Sequence, residues 1–122
     1  MKLRRRWFLF AVLLAGWLPV SLLAQTTAVI ADTDAAKHIG QKVTVEGIVV
    51  DVFHRGPNAF IDLGGEYPHQ TLTGWIPEDS ELAGGSLLYG LEGKKVKVTG
   101  TIGLYKGKPE IKIMSKHQLV LE

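Results

Sequence analysis

The chain has 122 residues, with 14 basic and 12 acidic side chains and no cysteine. The lack of cysteine excludes disulfides, thiolate metal sites, thiol catalysis and a lipid-modified cysteine together. The net charge of +2 is misleading, because Lys2, Arg4, Arg5 and Arg6 stand in the first 24 residues without an acidic partner. The remainder holds ten basic against twelve acidic residues, so global charge gives no argument for a nucleic-acid partner.

Residues 1–24 read as a secretory signal peptide. A basic start is followed by the apolar run Trp7–Leu18, then Pro19 and Ser21, with Ala24 at the cleavage position before Gln25. The expected location is therefore the periplasm or the exterior. Two alternatives stay open: an uncleaved anchor, and a twin-arginine route through Arg5-Arg6-Trp7-Phe8-Leu9 in place of the general export route. About a hundred residues remain, enough for one domain held by its core alone. They divide into a leader with a short helical turn (25–38) and a folded domain (39–122).

In the leader, Asp32–His38 reads as a turn or two of helix, with Asp32 or Thr33 as cap and Gly40 as stop. Lys42–Phe53 is the longest strand signal: Val43, Val45, Gly47 and Val49 alternate with polar residues before the run turns almost wholly apolar. Gly47 is the natural place for the bend or bulge that a coiled strand needs. After the turn His54–Asn58, a second strand spans Ala59–Leu63 and a third runs from about Gln70 to Ile76. Pro77–Leu91 offers Leu82, Leu87, Leu88 and Leu91 but is broken by Gly84-Gly85, a pair costing about 2 kcal/mol in a helix. It reads as a short irregular plug. Lys94–Leu104 is the fourth strand, Tyr105–Pro109 a tight connection, Glu110–Ile113 the fifth strand, and His117–Val120 a final turn packing back.

This order, a long bent strand, a hairpin, a short plug and a second hairpin, resembles the OB-fold. The phrases that carry the likeness are His38–Val49, Leu91–Ile102 and Tyr105–Ile111. Together they look like the nucleic-acid-binding type of OB domain in small exported bacterial proteins. The resemblance implies an all-β, five-stranded Greek-key barrel with a short helix or loop between strands three and four. Phe60-Ile61-Asp62-Leu63 is similar to the strand-two motif of the anticodon-binding OB domain of class II aminoacyl-tRNA synthetases. That likeness assigns base stacking to Phe60. Gly64-Gly65 departs from the Arg-Asp pair usual in that family, and no catalytic domain is expected to follow.

An OB domain binds oligomers on strands two and three, between the loops joining strands one to two and four to five. Alternation puts Ile61, Leu63, Leu72 and Ile76 on the core side, and Phe60, Asp62, Thr71, Thr73 and Trp75 on the other. The flanking loops bring Arg55 and Asn58 on one side, and Tyr105, Lys106 and Lys108 on the other. Stacking platforms with flanking cations suit single-stranded nucleic acid or another extended oligomer. Asp62 fits least well, since it accepts from a base edge but repels phosphate. Burial of Phe60 and Trp75 by the plug or leader is the competing possibility, and the strand lysines otherwise read as a solvated face that protects edges.

No carboxylate cluster, paired histidines or nucleophile constellation points to catalysis, a cofactor or a metal. The expectation is a monomeric, non-enzymatic binding protein. A protein- or glycan-binding envelope module using the same face is the alternative.

Overall fold

The computed structural model describes residues 27–122. The expected signal peptide at 1–24, with Gln25 and Thr26, lies outside the described residues. Eight strands follow in order: β1 (Val29–Ala31), β2 (Lys42–Arg55), β3 (Asn58–Leu63), β4 (Leu72–Ile76), β5 (Lys95–Thr101), β6 (Gly103–Tyr105), β7 (Lys108–Lys112) and β8 (Leu119–Leu121). They form one sheet in the order β6-β7-β4-β3-β2-β5-β8, with β1 added to β2.

The sequence pattern predicts five strands, and the difference has three sources. The leader supplies β1, which pairs in parallel with β2 from Val29↔Thr44 to Ala31↔Glu46. The final turn is a 3-10 turn at Lys116–Gln118 that runs on into β8, an antiparallel partner of β5. The expected fourth strand breaks at Ile102, whose fully buried side chain separates β5, paired to β2, from β6, paired to β7. The long β2 serves two neighbours in the same way. Residues Lys42–Ile48 pair with β5, and Val49–Arg55 pair with β3.

The bulge that permits this change of partner is not at Gly47. The register shifts between Val49 and Asp51, leaving Val50 as the extra residue. Gly47 instead makes room for the Asp32 side chain, because a Cβ on it would stand 3.0 Å from Asp32 Cβ. Asp32 opens a 3-10 turn, Asp32–His38, but does not cap it. The capping position is Ala31, without a side-chain bond, and the Asp32 carboxylate instead accepts from the Thr71 hydroxyl.

Val43, Val45, Val49, Ile61, Leu63, Leu72, Ile76, Val96 and Val98 form the core, as their alternation implies. Between β4 and β5, Leu82, Leu88 and Leu91 are buried and Leu87 packs against them around a single 3-10 turn, Ser86–Leu88. This is the expected plug. The lysines of β5 lie outside: Lys95 reaches Glu46 at 3.6 Å and Lys97 reaches Glu122 at 3.2 Å. Gln118 ties the C-terminal end down, its amide nitrogen donating to Thr99 O and Lys112 O and its oxygen accepting from Met114 N and Ser115 N.

Gly74 lets β4 sit against the core. A Cβ there would lie 2.7 Å from Ile61 Cγ1 and 2.8 Å from Ile113 Cδ1. Gly74→Ala should therefore overpack the centre of the fold and lower stability by about 1–3 kcal/mol, read from urea denaturation of the full chain. An unchanged midpoint would show that the two isoleucines yield without cost.

Candidate functional site

The Val50 bulge decides which side chains of β2 meet the groove. Before it, Val43, Val45 and Val49 point to the core; after it the parity reverses, so Val52 opposes core residue Ile61 while Asp51 and Phe53 oppose Asp62 and Phe60. Phe53, Phe60 and Trp75 thus stand in register across β2, β3 and β4, and Lys112 of β7 continues the row. Phe53 and Phe60 are stacked, with ring centroids 5.2 Å apart and planes 16° from parallel. The Lys112 ammonium lies 5.2 Å from the Trp75 ring centre. All three aromatics are half-buried and line the groove.

A second row lies beside the first: Asp51, Asp62, Thr73 and Glu110. Asp62 is fully buried and Gln70 nearly so. The Gln70 amide nitrogen donates to Thr73 Oγ1 at 3.1 Å, and the Thr73 hydroxyl donates to Asp62 Oδ1 at 3.0 Å. Asp62 Oδ2 and Gln70 Oε1 have no hydrogen-bond partner among the described residues. Burial pushes the Asp62 carboxyl above its ordinary range; the Thr73 bond pulls it back, the Asp51 charge raises it further, and the nearby Tyr67 backbone N–H lowers it. Burial raises Glu110 as well.

Around these rows lies a groove of about 470 Å³. Arg55 and Asn58 line it from the β2–β3 turn, and Tyr105, Lys106 and Lys108 from the β6–β7 turn. The Arg55 guanidinium stands 5.9 Å over the Phe53 ring, and Lys106 Nζ lies 5.4 Å over Tyr105. With Phe60, Asp62, Thr73 and Trp75 on the sheet, nine of the ten residues assigned to this face and its loops from the sequence line the groove, Thr71 being the exception.

Sequence reasoning missed Phe53, Tyr67, Pro68, Gln70, Pro109 and Glu110. Phe53 is hidden by the parity change, which no glycine marks. Tyr67, Pro68 and Gln70 belong to the loop between β3 and β4, where alternation says nothing. Thr71, assigned to the groove side, is engaged elsewhere: β4 begins only at Leu72, and the Thr71 hydroxyl donates to Asp32 and to Leu63 O. Among the described residues no group of three or more His, Cys, Asp or Glu side chains converges as a metal site would require. His38 bonds to Gln41 at 2.9 Å.

No family profile matches the sequence, and no curated protein does. Solved structures do. The chain is similar to a Leishmania major Friedlin protein described as an aspartyl-tRNA synthetase, with TM-score 0.55 and 11% identity over 80% of this chain and 21% of that one. It is also similar to the aspartyl tRNA synthetase of Entamoeba histolytica, with TM-score 0.53 and 10% identity over 86% of this chain and 23% of that one. The fold is of the OB type. The chain spans less than a quarter of either synthetase, and at this identity the likeness concerns fold alone.

A carboxyl raised on folding takes up its proton in the folded state first, so its burden on stability disappears as pH falls from the raised value to the ordinary one. Relative to Asp62→Asn, the unaltered chain should therefore gain stability as pH falls through that window and lose it as pH rises. Denaturation of both chains across the acid range measures this, and parallel profiles would contradict the buried-carboxyl account.

Proposed function

We propose that this chain is a non-catalytic, monomeric OB-type binding protein, exported through its N-terminal segment, that holds single-stranded nucleic acid along the groove. The observation that carries the reading is the row Phe53, Phe60 and Trp75, in register across three strands and flanked by Arg55 on one side and Lys106 and Lys108 on the other. Bases stack on such a row irrespective of sequence, at roughly 1–3 kcal/mol each, while the cations follow the backbone. A five-stranded Greek-key barrel is the corresponding architecture. Its strands would be β2, β3, β4, β5 continued by β6, and β7, closed where β6 pairs with β7. The parallel pairing of β4 with β7 supports it.

A second reading is favoured by one observation, the acidic row Asp51, Asp62 and Glu110, which opposes phosphate. On it, the same groove takes a protein or glycan partner in the cell envelope.

Anisotropy of a labelled oligo-dT titrated with the full chain separates the two. With three or four cations engaged, the plot of log affinity against log salt should have a slope of about −2 to −3. Phe60→Ala should weaken binding by about tenfold. Lys97→Ala, at an ion pair outside the groove lining, should leave it unchanged. No binding at low salt would overturn the nucleic-acid reading, and a weak, salt-insensitive interaction with an envelope partner would favour the second.

A further inference from the structure

Charges of both signs meet in the groove without pairing. Asp51, Asp62 and Glu110 stand in one row across the sheet, while Arg55, Lys106 and Lys108 line the rim. Among the described residues the ion pairs join Lys37, Lys95 and Lys97 to Asp34, Glu46 and Glu122, and none of the groove charges takes part. These charges therefore act on whatever enters.

The floor is also built to accept a proton. Asp62 is fully buried, and burial raises both its carboxyl and that of Glu110. The Thr73 hydroxyl and the Tyr67 backbone N–H oppose the rise at Asp62, and the Asp51 charge across the strand pair adds to it. With Asp62 ionised, Gln70 donates to Thr73 at 3.1 Å, Thr73 donates to Asp62 Oδ1 at 3.0 Å, and Gln70 Oε1 has no partner. A proton from solvent on Asp62 Oδ1 makes that oxygen a donor. Thr73 then accepts from it and turns its own proton to Gln70, whose amide rotates to offer the oxygen. The relay runs in either direction. In reverse, Gln70 presents a donor where it otherwise presents an unpaired acceptor.

A polyanionic strand laid over this row strengthens both causes of the rise. It strips water from the floor and brings phosphate charge toward the carboxylates, so their neutral forms are favoured more in the complex than in the free chain. We propose that the groove is a proton-linked site: Asp62 and Glu110 take up protons as a single strand closes over them, and the acidity of the medium sets its affinity. This rests on the strand-binding reading above. Linkage fixes the sign. The added affinity is complete below the free chain's titration and is lost as pH rises through that of the complex. The other ionisable groups about the floor are Arg55 from β2, Tyr67 from the β3–β4 loop, Tyr105 and Lys106 from β6 and its turn, and Lys108 and Lys112 from β7. Residues of these types keep their charge state in the acid range, so the lining gains two positive charges when both carboxyls are neutral.

The test is the affinity of the full chain for labelled oligo-dT, whose bases take up no proton in this range, at constant salt from about pH 7.5 to about pH 5. Affinity should rise at least about tenfold toward the acid end. Asp62→Asn and Glu110→Gln each remove a charge, so each should bind about three- to tenfold tighter than the unaltered chain near pH 7.5 and give a flatter profile. Damage to the fold would weaken binding, so it cannot imitate that gain. Histidine also gains charge on acidification. The pair His54→Gln and His69→Gln, at exposed positions, should leave the profile unchanged. Calorimetry in two buffers of different ionisation heat, which needs no variant, should show net proton uptake on binding near pH 6.

A flat profile without proton uptake would overturn the linkage and leave strand binding standing. So would flattening by the histidine pair, or folded carboxyl variants that bind no tighter. If no strand binds at any pH at low salt, both readings fall.

Discussion

One extra residue in β2 governs the rest of the structure. Val50 stands outside the ladder, and with it the strand passes from β5 to β3 and exchanges its core and groove sides. Without that bulge Phe53 would not face Phe60, Asp51 would not face Asp62, and the aromatic row would be two residues wide. The bend also lets β2 carry both halves of the sheet, so the core valines of its first half and the groove residues of its second belong to one continuous element. The groove is therefore a direct consequence of how the fold is closed.

The groove combines groups that ordinarily oppose one another. Its rim is cationic and stacked on rings, as in Arg55 over Phe53, Lys106 over Tyr105 and Lys112 over Trp75. Its floor is acidic and desolvated. A polyanion lying flat in it would gain at the rim and lose at the floor. A strand that keeps phosphates at the edge and turns bases inward gains at both. The same arrangement accounts for an OB-type face on a chain whose charge beyond the first 24 residues is slightly negative, because attraction is local to a few loop cations.

Much of this is legible in the sequence. Period-two alternation in Ala59–Leu63 and Thr71–Ile76 separates core from groove except at Thr71, which bonds to Asp32 and Leu63 O, and loop cations placed beside a predicted strand pair line the groove. What escapes has physical reasons. A bulge without glycine leaves no mark in composition, so Phe53 reads as one more apolar residue of a buried run. The parallel addition of β1 depends on backbone pairing with β2, to which the side chains of Val29–Ala31 give no clue. Asp32 looks like a cap because it precedes a helical turn, but a carboxylate can bond across 39 positions to Thr71 as easily as within its own turn. The polar relay through Gln70 arises from a loop whose path no periodicity foretells.

The central claim is that the aromatic row is the surface that meets the ligand. Amide and indole NMR shifts of the labelled full chain, followed during titration with oligo-dT at low salt, test it most directly. The account predicts shifts concentrated at Phe53, Phe60, Thr73, the Trp75 indole and Lys106, with β8 and the outer lysines of β5 unmoved. Shifts confined to β5 and β8, with the Trp75 indole unchanged, would contradict it.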